Sequence, residues 1–142
     1  MISVTRKYNF SASHRLHLAG LSEAENDALF GKCNNPFGHG HNYELFVTAR
    51  GPVDPESGLA VDTGKLDRLI AERVLSVFHL KNMNSDVPAF RNTVPTTENV
   101  GLEIQRMISG AWSETFPEWP VFEKVRIYET DRNIFEVSNE KA

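Results

Sequence analysis

The chain has 142 residues, 40% of them hydrophobic and 24% charged, with 15 Lys and Arg against 19 Asp and Glu. This length and ordinary apolar content predict one folded domain over residues 1–142, with a real core and no disorder. The net charge of −4 argues against a nucleic-acid partner, the lack of a long apolar run argues against a membrane-spanning helix, and the lone Cys33 excludes a disulfide framework.

At the N-terminus, Met1-Ile2-Ser3-Val4-Thr5-Arg6 lacks the apolar core of a signal peptide, and with one cysteine this predicts a reducing, cytoplasmic setting. The first stretch alternates. Ile2, Val4, Tyr8, Phe10 and Ala12 share one parity and mostly polar residues take the other, which predicts a half-buried strand broken only by Arg6. A loop is expected from about Ala19 to Gly38, longer than most connections and therefore a candidate functional segment. Tyr43, Leu45, Val47 and Ala49 then predict a second strand, which Gly51-Pro52 stops. Leu66, Leu69, Ile70, Val74 and Val77 form a helical stripe with Asp62 or Thr63 as its cap. After a polar stretch from Lys81 to Pro95, Val100, Ile104, Met107, Ile108 and Ala111 form another, capped by Thr96 or Thr97. Val125, Ile127 and Glu129 share a parity, and a turn leads to Ile134-Phe135-Glu136-Val137. The order β-β-α-α-β-β predicts an α+β fold, an antiparallel four-stranded sheet with two helices on one face. Trp112, Trp119 and most phenylalanines are expected in the core or at interfaces.

Three histidines fall on informative parities. His14 continues that of Tyr8 and Phe10, while His39 and His41 continue that of Tyr43 and Leu45. Residues i and i+2 of a strand project from one face, so His39 and His41 stand side by side, with Gly38 and Gly40 giving the backbone room to turn. If the two strands are neighbours, His14 completes a set of three nitrogens, which is the ligand set of an open zinc site. Taken alone, a histidine on an apolar strand face is more often a hydrogen-bonded core residue.

The surrounding residues carry a resemblance. Phe10-Ser11-Ala12-Ser13-His14-Arg15-Leu16 and the run from Gly31-Lys32-Cys33-Asn34-Asn35 to Gly38-His39-Gly40-His41-Asn42-Tyr43 resemble two signatures of the 6-pyruvoyltetrahydropterin synthase and 6-carboxytetrahydropterin synthase family. Val53-Asp54-Pro55, Asp86-Val87-Pro88, Pro95-Thr96-Thr97-Glu98-Asn99-Val100 and Tyr128-Glu129-Thr130-Asp131 are similar to further segments in the same order. The resemblance implies the T-fold (tunnelling fold) and a homohexamer built as a dimer of trimers, with sites at subunit interfaces. It also implies zinc on His14, His39 and His41, catalysis by Cys33, and a pterin ring anchored by Glu129 with Thr96 and Thr97. The five residues between Cys33 and His39 are similar to the branch that eliminates triphosphate from 7,8-dihydroneopterin triphosphate. The 6-carboxytetrahydropterin synthases of queuosine biosynthesis usually have three, and they are the alternative, together with a diverged pterin-binding oligomer.

One segment departs from the pattern. The family usually carries adjacent Asp and His at the end of its first helix as a proton relay with the cysteine. Here Val77-Phe78-His79-Leu80-Lys81-Asn82 places His79 at the Asp position when read without gaps, or at the His position with Phe78 in place of Asp after a one-residue shift. Either way the pair is incomplete. His79 is expected to be a weaker relay, because no carboxylate orients its ring.

Overall fold

The computed structural model describes residues 1–140; the last two residues of the expected domain lie outside it. Strand β1 (Ile2–His14) runs antiparallel to β2 (His39–Gly51) over its whole length, from Ile2 opposite Gly51 to His14 opposite His39. Strand β4 (Val121–Tyr128) pairs with the far side of β2, and β5 (Ile134–Ser138) closes that edge. The expected four strands are joined by a fifth: β3 (Lys81–Asn82) lies parallel to β1 at Ala12 and Ser13, giving the order β3-β1-β2-β4-β5. Two residues are too few to show an alternation, which is why this strand cannot be read from periodicity.

The predicted parity decides which face is buried. Phe10, Tyr43, Leu45, Val47, Val125 and Ile127 form one cluster with Leu66, Ile70, Val74, Val100, Ile104 and Ile108 from the helices. Lys7, Glu44, Lys124 and Glu136 take the other face, where Lys7 pairs with Glu44 and Lys124 with Glu136 at 3.1 and 3.2 Å. Two local irregularities keep this separation intact. In β4 the register with β2 shifts between Thr48 and Ala49, so Glu123 is an extra residue and Phe122 joins Val125 in the core despite its opposite parity. The first long helical segment runs as α2 (Thr63–Ile70), a π turn (Ala71–Leu75) and α3 (Ser76–Phe78). The wider turn moves the apolar stripe on by one residue, so Phe78 is fully buried where a regular helix would have presented Val77.

The caps follow the sequence. Asp62 accepts the Lys65 amide at the start of α2, and Thr96 accepts the Asn99 amide at the start of α5 (Thr97–Thr115). Trp112 packs between Phe116 and Phe122 and donates to the Pro120 carbonyl at 2.8 Å, whereas Trp119 is exposed. The segment expected as a loop from Ala19 to Gly38 holds α1 (Glu23–Phe30) and a 3-10 turn (Gly31–Asn34). Helix α1 starts on a capping box between Ser22 and Glu25, but only Asn26 of its residues is buried, so it has no apolar stripe to betray it. The polar stretch after Leu80 contains α4 (Met83–Asp86) and a 3-10 turn at Pro88–Phe90. Among the described residues no helix is long and apolar enough to cross a membrane.

Candidate active site

The end of the sheet where β1 finishes and β2 begins carries the histidines. The register sets His14 opposite His39 and Ala12 opposite His41, so one strand pair brings all three imidazoles together. His14 and His39 approach Nε2 to Nε2 at 3.3 Å, and His39 and His41 at 2.8 Å. Ligand nitrogens ~2.0–2.1 Å from a tetrahedral zinc lie about 3.3–3.4 Å apart, so the first pair already has that spacing and the second needs a small opening.

Proton placement on His14 is decided by its surroundings. Its Nδ1 lies 2.8 Å from the Pro95 carbonyl, which can only accept, so Nδ1 carries the proton and Nε2 offers its lone pair to the cluster. The ring is fully buried. Burial pulls the pKa of His14 down, and the neighbouring His39 and His41 add to this against the carbonyl, so the ring is held neutral. Burial and His41 likewise lower His39. Imidazoles converging on Nε2 suit a cation, and the fixed Nδ1 hydrogen bond is what a metal-ligating histidine normally has behind it. The fit is good for His14. For His39 the supporting partner is lacking, since its buried Nδ1 has none among the described residues.

Cys33 reaches the same cluster from the 3-10 turn. Its Sγ lies 3.6 Å from His39 Nε2, and its carbonyl accepts the Leu16 amide at 2.7 Å. The neighbouring Asn34 is buried and locks the turn: its side chain donates to Asp27 at 2.7 Å and meets His17 Nδ1 at 2.7 Å, while Arg15 donates to its carbonyl at 3.2 Å. Asn26 anchors α1 in turn by donating to the carbonyls of Leu18, Leu21 and Ser22. Burial first, and Glu129 second, push the Cys33 thiol up. Lys32 is exposed.

Glu129 follows β4 and turns to the core face, as its parity predicts, where Thr97 Oγ1 donates to its Oε2. Thr97 opens α5, so the carboxylate lies at the positive end of a helix dipole. His14, His41 and Glu129 present ligand atoms within 4.8 Å of one another, as do His14, Cys33 and His39, so two overlapping donor sets could hold a metal ion. Thr96 keeps its capping bond and holds the helix start in place.

His79 is elsewhere. The Ser11 amide donates to its Nδ1 at 3.1 Å on the exposed edge of β1, so in the neutral ring Nε2 must carry the proton. Leu80 follows with a φ of 59° and is 77% exposed. Within the chain, none of the hydrogen bonds of His79 reaches the histidine cluster. Tyr43, two residues beyond His41 on the same face, is part of the site floor that its apolar parity did not flag: its ring stands 5.6 Å from His41 and 6.5 Å from His14.

A mostly antiparallel sheet, helices on one face, and a candidate metal centre at the sheet end define a T-fold protein with a polar ligand site. Residues 3–140 match the family model described as 6-pyruvoyl tetrahydropterin synthase. The chain belongs to that family. It is 44% identical over 133 residues to the Homo sapiens protein named 6-pyruvoyl tetrahydrobiopterin synthase, covering 92% of this chain and 87% of the human one. It is similar to the solved structure of the Caenorhabditis elegans 6-pyruvoyl tetrahydropterin synthase at 42% identity and a TM-score of 0.88, covering 98% and 96% of the two chains. A Plasmodium falciparum structure of the same name, at 16% identity with 97% of each chain covered and a TM-score of 0.62, shares the fold.

Proposed function

We propose that this single-domain chain is a cytoplasmic, zinc-dependent lyase of pterin biosynthesis that acts on 7,8-dihydroneopterin triphosphate with elimination of triphosphate. The observation that carries the reading is the convergence of His14, His39 and His41 on their Nε2 atoms beside a thiol and a carboxylate. His14, His39 and His41 hold the zinc. When bound, zinc supplies a Lewis acid that makes hydrogens on carbons bearing side-chain hydroxyls easier to remove. Glu129 accepts the paired N–H donors of the pterin ring, with Thr97 orienting the carboxylate and Thr96 fixing the helix start behind it. Cys33 takes and returns a proton at Sγ, and Asn34 holds it in reach of the side chain. Oligomerisation, in the expected homohexamer, completes each site.

His79 is the reason for a second reading. Its Nδ1 lone pair is committed to the Ser11 amide, so the neutral ring has no free base nitrogen, and Leu80 adds none. This favours slow proton handling, a 6-carboxytetrahydropterin product, or a pterin-binding oligomer with little catalysis. The test is to load the purified protein with zinc, add 7,8-dihydroneopterin triphosphate, and follow triphosphate release together with product identity. Release with a 6-pyruvoyl product is expected, at a rate abolished by H39A. A 6-carboxy product would move the chain to the second branch. Tight pterin binding without release would make it a binding protein, and neither binding nor release would refute both readings.

A further inference from the structure

The antiparallel register sets one position beside both halves of the site. Leu45 opposes Ile127 and Glu44 opposes Tyr128, so the next rung sets Glu129 beside Tyr43. On its other side Tyr43 opposes Phe10, and their rings stack at 4.8 Å. The same face of β2 carries His41 and His39 farther along, so Tyr43 adjoins both the histidine cluster and the carboxylate. The residue is fully buried, and its hydroxyl has no hydrogen-bond partner among the described residues. Ring packing alone would be served as well by phenylalanine, without leaving a buried donor unmet.

Thr97 and Glu129 border that hydroxyl, and the single proton of Thr97 goes to Glu129 Oε2, so the Thr97 oxygen and the remaining carboxylate lone pairs stand as acceptors for the tyrosine O–H. A carboxylate has about four acceptor positions, of which Thr97 uses one. We propose that Tyr43 is a positioning residue for Glu129, its O–H joining the Thr97–Glu129 pair when a ligand with paired N–H donors draws on the carboxylate. The free protein holds the donor in reserve, and the bound state satisfies it. This rests on the pterin-binding reading of Glu129 above.

The test is Y43F, read in the zinc-loaded protein with 7,8-dihydroneopterin as the probe. An orphaned hydroxyl predicts a ligand-free thermal midpoint equal to or above that of wild type. A hydroxyl satisfied only with ligand predicts about a tenfold weaker Kd for that probe and, with 7,8-dihydroneopterin triphosphate as substrate, a kinetic effect concentrated in KM rather than kcat. In an E129Q background, removing the hydroxyl should add less than in wild type, because the two act on one contact. A merely structural tyrosine would lower the midpoint and show no such coupling. A Kd within about twofold of wild type, additive effects in the cycle, or a lowered ligand-free midpoint each overturns the assignment while the functional reading stands. A wild-type protein that binds no 7,8-dihydroneopterin overturns both.

Discussion

Gly38 is where the geometry of the candidate metal centre is most easily tested through the backbone. Its φ is +72°, and a Cβ there would lie 3.1 Å from the His14 carbonyl oxygen and 3.5 Å from the carbonyl carbon. Left-handed backbone costs a residue with a side chain about 1–2 kcal/mol. The clash is with backbone, not a flexible side chain, so it is relieved only by moving the rung that pairs His14 with His39. G38A should therefore cost about 1–2 kcal/mol, lowering the thermal midpoint of the metal-free protein by about 3–8 °C for a chain of this size. Metal sites tolerate only ~0.2 Å of error in ligand distance, so zinc affinity should fall about tenfold or more. Gly40 is the internal control. A Cβ there meets only the Ala12 carbonyl oxygen at 3.6 Å, an ordinary contact, and its φ is not in the left-handed region. G40A should stay within about 0.5 kcal/mol of wild type. Thermal unfolding with and without zinc, and competition against a chelator of known affinity, read both effects. Wild-type zinc affinity in G38A, or equal damage from G40A, would refute the reasoning.

Other expectations are independent of that rung. C33A should keep one zinc per chain while losing triphosphate release by more than about a hundredfold; loss of the metal instead would make the thiol a ligand in the His14, Cys33, His39 set. A Cβ at Gly101 would meet Val137 Cγ2 at 3.0 Å, so G101A should destabilise by about 1 kcal/mol despite its better helix propensity, and V137A should relieve it, giving non-additive unfolding energies in the four-variant cycle. Asp67 accepts from Arg6 at 2.6 Å and Tyr8 at 2.7 Å, and chiefly the Arg6 hydrogen bonds hold its carboxyl below the usual range. The folded pKa is depressed, so its contribution is present above the unfolded value of about 3.9 and is lost as pH falls through the folded value. D67N should remove less than about 1 kcal/mol at pH 7, because the pair is open to solvent, and wild type and variant should converge as pH falls through the folded value. Denaturant titrations from pH 7 into acid check the sign; a difference that widens in acid would reverse it.

The parts of the fold that were legible in sequence are those whose partner is a whole face. Alternation placed β1 and β2 and, through them, the histidines; helical stripes with Asp62 and Thr96 caps placed α2 and α5. What escaped has local or discrete causes. The π turn that trades Val77 for Phe78, and the bulge at Glu123 that admits Phe122, each insert one residue without leaving a composition signal. Helix α1 is held by Asn26 and a capping box and buries no apolar stripe, so only Ser22 and Glu25 announced it. His79 could be read as a relay from its place in the chain, but its bond to the Ser11 amide depends on a strand edge that sequence does not reveal.

The same distinction explains how the candidate site is held. The three histidines depend on strand register, where a one-residue slip would turn every one of them to the opposite face. Glu129 and Thr97 depend on where α5 begins, a matter of capping by Thr96, and Cys33 depends on a turn that Asn34 pins to Asp27 and His17. The Pro95 carbonyl ties the first of these to the second, since it leads into α5 and accepts from His14. A substitution that loosens the start of α5 therefore displaces the carboxylate and the His14 tautomer together, whereas one in the Cys33 turn can move the thiol alone. Damage to zinc binding and pterin binding should accordingly be correlated for changes at Thr96, and separable from each other for changes at Asn34.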